Sequence, residues 1–507
     1  MTTFLPQTRP DSNGQAVERL DDAVVAGTGA QRRRGPWARS WARPDWPFVV
    51  LLVGWPIWWA LGIQIFAIPL LATPMIWRLY RWRATGTRQI RTPPGFGLWL
   101  LFLVVMVLGL TTIELTAPAT IPSPVSNRVI SWSLRATTYV GATGILLYAG
   151  NLTERELPRR RLAWMLGIVG IYTVAGGILG TLLPRFSFKS PLAYLVPASF
   201  QAAHGNLTSL YPSFAQVQQL LGYSHGRPDA PFDYTNMWGN CLAILLPWLV
   251  VAGWCYGTRR ERRWTVVICA LAFIPIVSAL DRGLWVGLGV AIIYLTVRFA
   301  ARGKVALLGV VGGVIALAAI IILFTPVQSL ISQRLSHGSS NAGRTNGTIQ
   351  AIQLGVASPI IGWGDTRHSV GSSQSIAIGS TSNCKKCGQK SLGGDGTFQN
   401  LLITTGIGGM VFYIAFFAYG FWRYRRDVTP YGMAGLLVLL LESIFFFVYD
   451  STGPPLAFTM LAYALLWRND RERWLASRQT GGSAAAPGAS RLAITPGIGG
   501  AQSIGRG

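Results

Sequence analysis

Three arginines stand beside apolar runs in this chain: Arg227 in 226-GRPDAPFDYTNMWGNCLAILLP-247, Arg282 in 278-SALDRGLWVGL-288 and Arg344 in 341-NAGRTNGTIQAIQLGVASPIIGWG-364. A guanidinium keeps its charge in every setting, so an arginine next to hydrocarbon is costly and needs a reason. One reason is an anion. The planar fork of N–H donors matches phosphate oxygens in pairs. Two or three such bonds, each worth about 1.5–3 kcal/mol, would hold an anionic group. The bland alternative for Arg282 is a pair with its neighbour Asp281, or a side chain reaching for the interface. Asp395, in the Gly-rich turn 393-GGDG-396, has the chemistry of a general base for a hydroxyl nucleophile; Asp in that position also serves as a helix N-cap. His368 and His225 are alternative bases, against the plain reading of solvated loop histidines. Asn236 either caps the helix that follows it or contacts a polar ligand. Arg135 falls inside an apolar run and calls for a partner such as Glu114 or a substrate; Asp450, in 449-YDSTGPP-455, is open in the same way.

These residues need elements to position them, and composition says which. Of the 507 residues 50% are hydrophobic and only 12% are charged, and a soluble chain of this length usually carries about twice that charge fraction. The 20 Trp and 16 Tyr suit bilayer interfaces. Apolar runs recur from residue 47 to residue 467, many of them near the roughly 20 residues that cross a hydrocarbon core. The spacing predicts an all-α polytopic membrane protein with twelve spans: 47–62, 63–77, 96–114, 132–150, 162–183, 234–255, 265–280, 283–299, 305–325, 401–422, 433–449 and 454–467. The first two are read as a short hairpin broken near Gly62 and Gln64.

The net charge of +25 suggests nucleic acid until its distribution is seen. The cations gather in short loops between apolar runs, such as 78-RLYRWRATGTRQIR-91, 258-TRRERR-263 and 423-RYRRD-427. That is the positive-inside bias, so nucleic acid is not an expected partner. Thirty-two of the 44 Lys and Arg fall on one side if both termini are cytoplasmic. Residues 1–46 read as a basic, disordered cytoplasmic tail without a cleavable signal. Residues 468–507 read as a second, low-complexity tail. The bundle over 47–467 includes two outer segments, 184–233 and 326–400, too long to be simple connectors. In the second, residues 344–356 have helical spacing with Ile349, Ile352 and Val356 on one face, which fits an interfacial helix presenting Arg344 at its polar start. Cys384 and Cys387 form C-K-K-C in the same segment. An oxidising compartment would favour a disulfide between them over free thiols, while a metal site would need more ligands than the segment offers. Cys241, Cys255 and Cys269 read as packing residues. No metal ion and no cofactor is expected.

The order and spacing of three motifs resemble the O-antigen ligase and O-antigen polymerase superfamily, bacterial membrane glycosyltransferases that use polyprenyl-pyrophosphate-linked glycans. The first motif is 226-GRPDAPFDYTNMWGNCLAILLP-247, with Asn236 in the Asn position and Thr235 where Pro is usual. The second is 278-SALDRGLWVGLGV-290, with Asp281 in place of Ser. The third runs from Arg344 through 358-SPIIGWG-364 to 395-DGTFQNLLITTGIGG-409. The resemblance covers roughly residues 160–425. It implies a GT-C-like bundle that moves a glycan from polyprenyl pyrophosphate to an acceptor sugar outside the cytoplasm, by an inverting, metal-independent route in the bacterial plasma membrane. It implies Arg282 and Arg344 at the diphosphate, with Arg227, Asn236 and His368 as substrate contacts. Many ligases of this superfamily carry His where Asp395 aligns, so a histidine base does not transfer to that position. The partners implied are a lipid-linked glycan donor, a glycan or glycolipid acceptor and membrane lipid. The competing class is a multi-pass transporter or flippase for a lipid-linked glycan. The spans are poor in ionisable residues at mid-depth, which counts against it.

Overall fold

The computed structural model describes residues 43–197, 208–218, 224–303, 339–370 and 389–484, with scattered positions between them. The chain divides into two units, Met1–Trp46 and Pro47–Gly507, and the helical body belongs to the second. Nearly all of the first tail, most of span 305–325, the Cys384–Cys387 pair and the end of the second tail lie outside the described residues.

The body is built from long helices: α1 Gln64–Ala84, α2 Phe96–Leu108, α3 Val125–Asn151, α4 Arg159–Leu182, α5 Thr235–Val250, α6 Arg259–Ser278, α7 Arg282–Ala300, α8 Ser339–Ala357, α9 Thr397–Tyr424, α10 Pro430–Phe445 and α11 Pro454–Ala484. Two antiparallel hairpins are set among them: β1 Ala215–Gln218 with β2 His225–Pro228, and β3 Arg367–Val370 with β4 Gln389–Leu392. Four helices are long and apolar enough to cross a membrane: Arg159–Leu182, Thr235–Cys255, Arg282–Ala300 and Thr397–Tyr424. Phe96–Thr112 and Pro430–Phe445 are apolar but shorter. Val286, Ile293 and Val297 on α7 and Val411 on α9 are each at least half exposed. Apolar side chains in such number on a helix surface suit lipid rather than water.

Several boundaries differ from the sequence expectation, each for a local reason. The segment 47–62 is a short π-helical turn, Val49–Val53, and a short helix, Trp55–Ala60. Gly62, at φ 77°, then turns the chain into α1, a backbone geometry glycine adopts without strain. α6 starts at Arg259, earlier than the apolar run, because Thr258 and Glu261 form a capping box that satisfies the first free N–H groups. α3 begins at Val125, so Arg128 and Arg135 ride on one helix. α11 runs through the stretch expected to open the second tail. Arg468 is fully buried there and pairs with Glu154 at 3.0 Å, and a buried, paired arginine belongs to a folded element rather than a tail.

The third sequence motif is a docking device. α9 is broken at Gly406 (φ 66°), which frees carbonyls one turn earlier. The turn 358–364 fills that gap: Trp363 N donates to Ile403 O at 2.8 Å and Gly364 N to Thr404 O at 3.0 Å. A Cβ on Gly362 would lie 2.5 Å from Gly406 N, so the two glycines are what let the backbones meet. α8 packs beside this junction, with Ala351 and Leu354 in a core cluster with Trp363 and Ile403. Its other face leaves Ile349, Ile352 and Val356 exposed, the row the sequence placed at an interface.

Candidate functional site

α6 and α7 form a tight hairpin whose tip is Ala279–Asp281. Asp281 makes that tip. Its Oδ1 accepts from Gly283 N at 3.1 Å and Leu284 N at 3.4 Å, capping α7, and from Tyr449 Oη at 2.6 Å. A Cβ on Gly283 would meet Tyr449 Oη at 2.6 Å, so the absence of a side chain there admits the tyrosine. Asp281 therefore does not serve Arg282 as a simple partner; its nearest guanidinium contact is Arg227 Nη2 at 4.0 Å.

Arg227 comes from β2. It is 6% exposed and held on several sides. Nε donates to Ala279 O at 2.6 Å, Nη1 to Gln218 Oε1 at 2.7 Å and Nη2 to Asn236 Oδ1 at 3.4 Å. His225, two residues earlier on the strand, donates from Nε2 to Ser278 O at 2.9 Å. Both strand residues thus satisfy carbonyls at the end of α6, where cations are favoured. This leaves His225 poorly placed as a base. Asn236 is the second residue of α5, whose N-cap is Tyr234 without a side-chain bond, so Asn236 orients Arg227 rather than capping the helix.

Arg282 opens α7, and Arg344 stands on α8 with Nη1 3.5 Å from Val448 O. Arg344 lies within electrostatic reach of both Arg282 and Arg227. Burial lowers the Arg227 pKa below the ordinary guanidinium value; Asp281 opposes this and Arg344 adds to it. Three arginines from β2, α7 and α8 thus surround one aspartate whose Oδ1 is already committed to a helix cap and a tyrosine. Guanidinium forks gathered in this way suit an anion's oxygens.

Asp395 sits beside this group through the backbone. It is not the N-cap of α9: that residue is Gly396, with no side-chain bond. Thr397 N donates to Tyr449 O at 2.7 Å, and Thr397 Oγ1 accepts from Ser451 N at 2.8 Å. The start of α9 is therefore stitched to the turn that carries Tyr449 and Val448, the same turn that Arg344 touches. Asp395 is half-buried two residues before that stitch.

His368 belongs elsewhere. It is exposed on β3, opposite Ser391, next to a second arginine group. Arg135 pairs with Asp365 at 3.0 Å; its partner is this aspartate rather than Glu114. Arg128 donates to Ile113 O at 3.0 Å and Leu115 O at 3.1 Å, and the 1%-exposed Arg367 to Asp365 O at 2.9 Å and Trp363 O at 3.0 Å. Burial, then the nearby Arg128, pushes the Arg367 pKa down to about 10. Asp450 accepts from Asn400 at 3.3 Å and from Thr452 at 2.8 Å, and burial raises its pKa. Cys241 is buried, Cys269 partly buried and Cys255 exposed, all three as free thiols. No group of three His, Cys, Asp or Glu placed to hold a metal ion occurs among the described residues.

Sequence reading named Arg227, Asn236, Arg282 and Arg344, and the fold brings these together. It passed over Tyr449, Asp365 and Arg367. Tyr449 stood next to Asp450 in a quoted motif but has no spacing that links it to residue 281. Comparison with family models, curated proteins and solved structures gave no match.

Proposed function

We propose that the chain is a bacterial plasma-membrane glycosyltransferase that transfers a polyprenyl-pyrophosphate-linked glycan to an acceptor sugar hydroxyl on the extracytoplasmic face. In this reading the helices form a twelve-span, GT-C-like bundle with both termini cytoplasmic. The observation that carries it is the meeting of Arg227, Arg282 and Arg344 around Asp281 at one end of the α6–α7 hairpin. α7 has 19 residues and so is about 28 Å long at about 1.5 Å per residue, close to the thickness of a hydrocarbon core. Arg298, near its far end, donates to Arg425 O at 2.9 Å, among the cations that mark the cytoplasmic side. The arginine group then stands at the opposite surface, at headgroup depth, with the apolar walls of α7 and α9 below it for an isoprenoid.

The chemistry follows from that placement. Arg282 and Arg344 grip the diphosphate and stabilise its charge as the bond to the anomeric carbon breaks. Arg227, buried and held by Asn236 and Gln218, sets the field from behind. Attack from the face opposite the diphosphate inverts the anomeric centre, and Asp395 takes the proton of the acceptor hydroxyl. The guanidinium groups supply the positive charge that a metal ion supplies elsewhere.

The test is to replace Arg282 and Arg344 singly by Ala. Each variant should lose long-chain surface glycan while its abundance in the membrane stays at the wild-type level. Normal glycan in both variants would overturn the anion-site assignment.

A further inference from the structure

The segment that delivers Arg227 also carries two carboxylates, Asp229 and Asp233. Asp229 and Asp233 line a small cavity with Trp59, Ser209, Ser213, Gln216 and Phe232. Asp229 is 3% exposed. Its Oδ2 accepts from Ser213 Oγ at 3.0 Å, while Oδ1 accepts no hydrogen bond from any described residue. Asp233 Oδ1 accepts from Ser209 Oγ at 3.1 Å and from Gln64 Nε2. Gln64, also 3% exposed, has its Oε1 without a hydrogen bond among the described residues. No described Lys, Arg or His forms an ion pair with either aspartate. Burial raises both carboxyl pKa values, and repulsion from Asp233 raises that of Asp229 further.

Two carboxylates held together out of water, with an acceptor oxygen left over, call for a positive charge. The cavity decides what kind. It holds about 70 Å³, where a single water needs about 10–15 Å³. That leaves room for an ion and a few waters, and too little for a sugar ring. Its polar lining consists of carboxylate, hydroxyl and amide oxygens without thiol or imidazole, the donor set of a hard cation that accepts six to eight oxygens in irregular geometry. We propose that the Asp229–Asp233 cavity is a calcium site, one that ties the loop 208–234 to the Trp59–Gln64 corner and so steadies Arg227 and Asn236 from behind. Two carboxylates and neutral oxygens make a weak site, with half-saturation at about 0.1–1 mM, the range of extracellular modules. The cation takes no part in glycan transfer, and the inference stands whether or not that function holds.

The probe is Tb³⁺, an oxygen-seeking stand-in for Ca²⁺ whose emission a neighbouring indole sensitises, and Trp59 lines the cavity. The full chain is placed in nanodiscs of zwitterionic lipid, which keeps anionic headgroups out of the measurement. Sensitised emission is expected and should be displaced by Ca²⁺ at about 0.1–1 mM but poorly by Mg²⁺. Asp229→Asn and Asp233→Asn should each cut the emission at least about tenfold, a loss of about 1.4 kcal/mol of binding. Thermal unfolding guards against misfolding. Ca²⁺ should raise the wild-type unfolding temperature, whereas Asp229→Asn in EDTA should unfold at or above the wild-type temperature in EDTA and ignore added Ca²⁺. A wild-type unfolding temperature unmoved by Ca²⁺, or emission that survives in both variants, would overturn the proposal.

Discussion

Two groups in this protein have the same ingredients, three arginines near one aspartate, and commit that aspartate differently. Around Asp365, Arg135 pairs directly at 3.0 Å. Arg128 and Arg367 turn their N–H groups into the carbonyls of 113–115 and 363–366. Around Asp281, the carboxylate oxygen Oδ1 is spent on the cap of α7 and on Tyr449, and the nearest guanidinium stays 4.0 Å away. The first group is a joint: it locks the turn 358–367 to α3 and to the end of α2. Whether clustered arginines hold a structure or wait for a ligand depends on where their aspartate is already committed, not on their number.

The comparison can be broken at its structural end first. Asp365→Ala strands Arg135 and should lower unfolding stability by about 3–5 kcal/mol, as breaking a buried pair does. Denaturant titration in detergent measures it, and a loss under about 1 kcal/mol would mean the pair is effectively a surface one. Asp395→Asn, beside the second group, should slow turnover about 100-fold, as loss of a general base does, with donor affinity unchanged. An unaltered turnover number removes Asp395 as the base. Arg344→Lys keeps the charge and loses the fork. It should weaken donor binding about tenfold and leave the unfolding midpoint in place; a fall in stability without a change in binding would put Arg344 with the joint instead.

A last effect concerns a carboxylate that pairs with no arginine among the described residues. Burial pushes the Asp233 pKa up to about 6, above an unfolded value of about 3.9. Its contribution to stability is therefore full below about pH 4 and is lost as pH rises through about 6. Unfolding followed across that window in calcium-free buffer should show this decline, and Asp233→Asn should flatten it. A wild-type profile as flat as the variant's would place the carboxyl in water.

Much of this was written in one dimension. The apolar runs mark where helices lie because a run of hydrocarbon needs no partner to declare itself. The break at Gly62 and the α6–α7 hairpin were legible for the same reason, and so was the exposed row Ile349, Ile352 and Val356, since helical period puts them on one face. Arg282 stood out at a turn between two apolar stretches. The start of α6 was missed because a capping box extends a helix into charged residues, and the helical course of 468–484 because pairing of Arg468 with Glu154 joins positions more than 300 apart.

Sequence alone settled the helical, bilayer-compatible character of the chain and the residues rich enough in chemistry to matter. Tertiary structure alone decided their meaning: that Asp281 serves a cap and Tyr449, that Arg135 answers to Asp365 and not Glu114, that Asp395 precedes a glycine cap, and that His368 keeps company with the Asp365 group. The physical reason is range. Hydropathy and helical period are summed over neighbours in the chain, whereas a guanidinium's state is set by whichever oxygens the fold brings within a few ångströms, from anywhere along it.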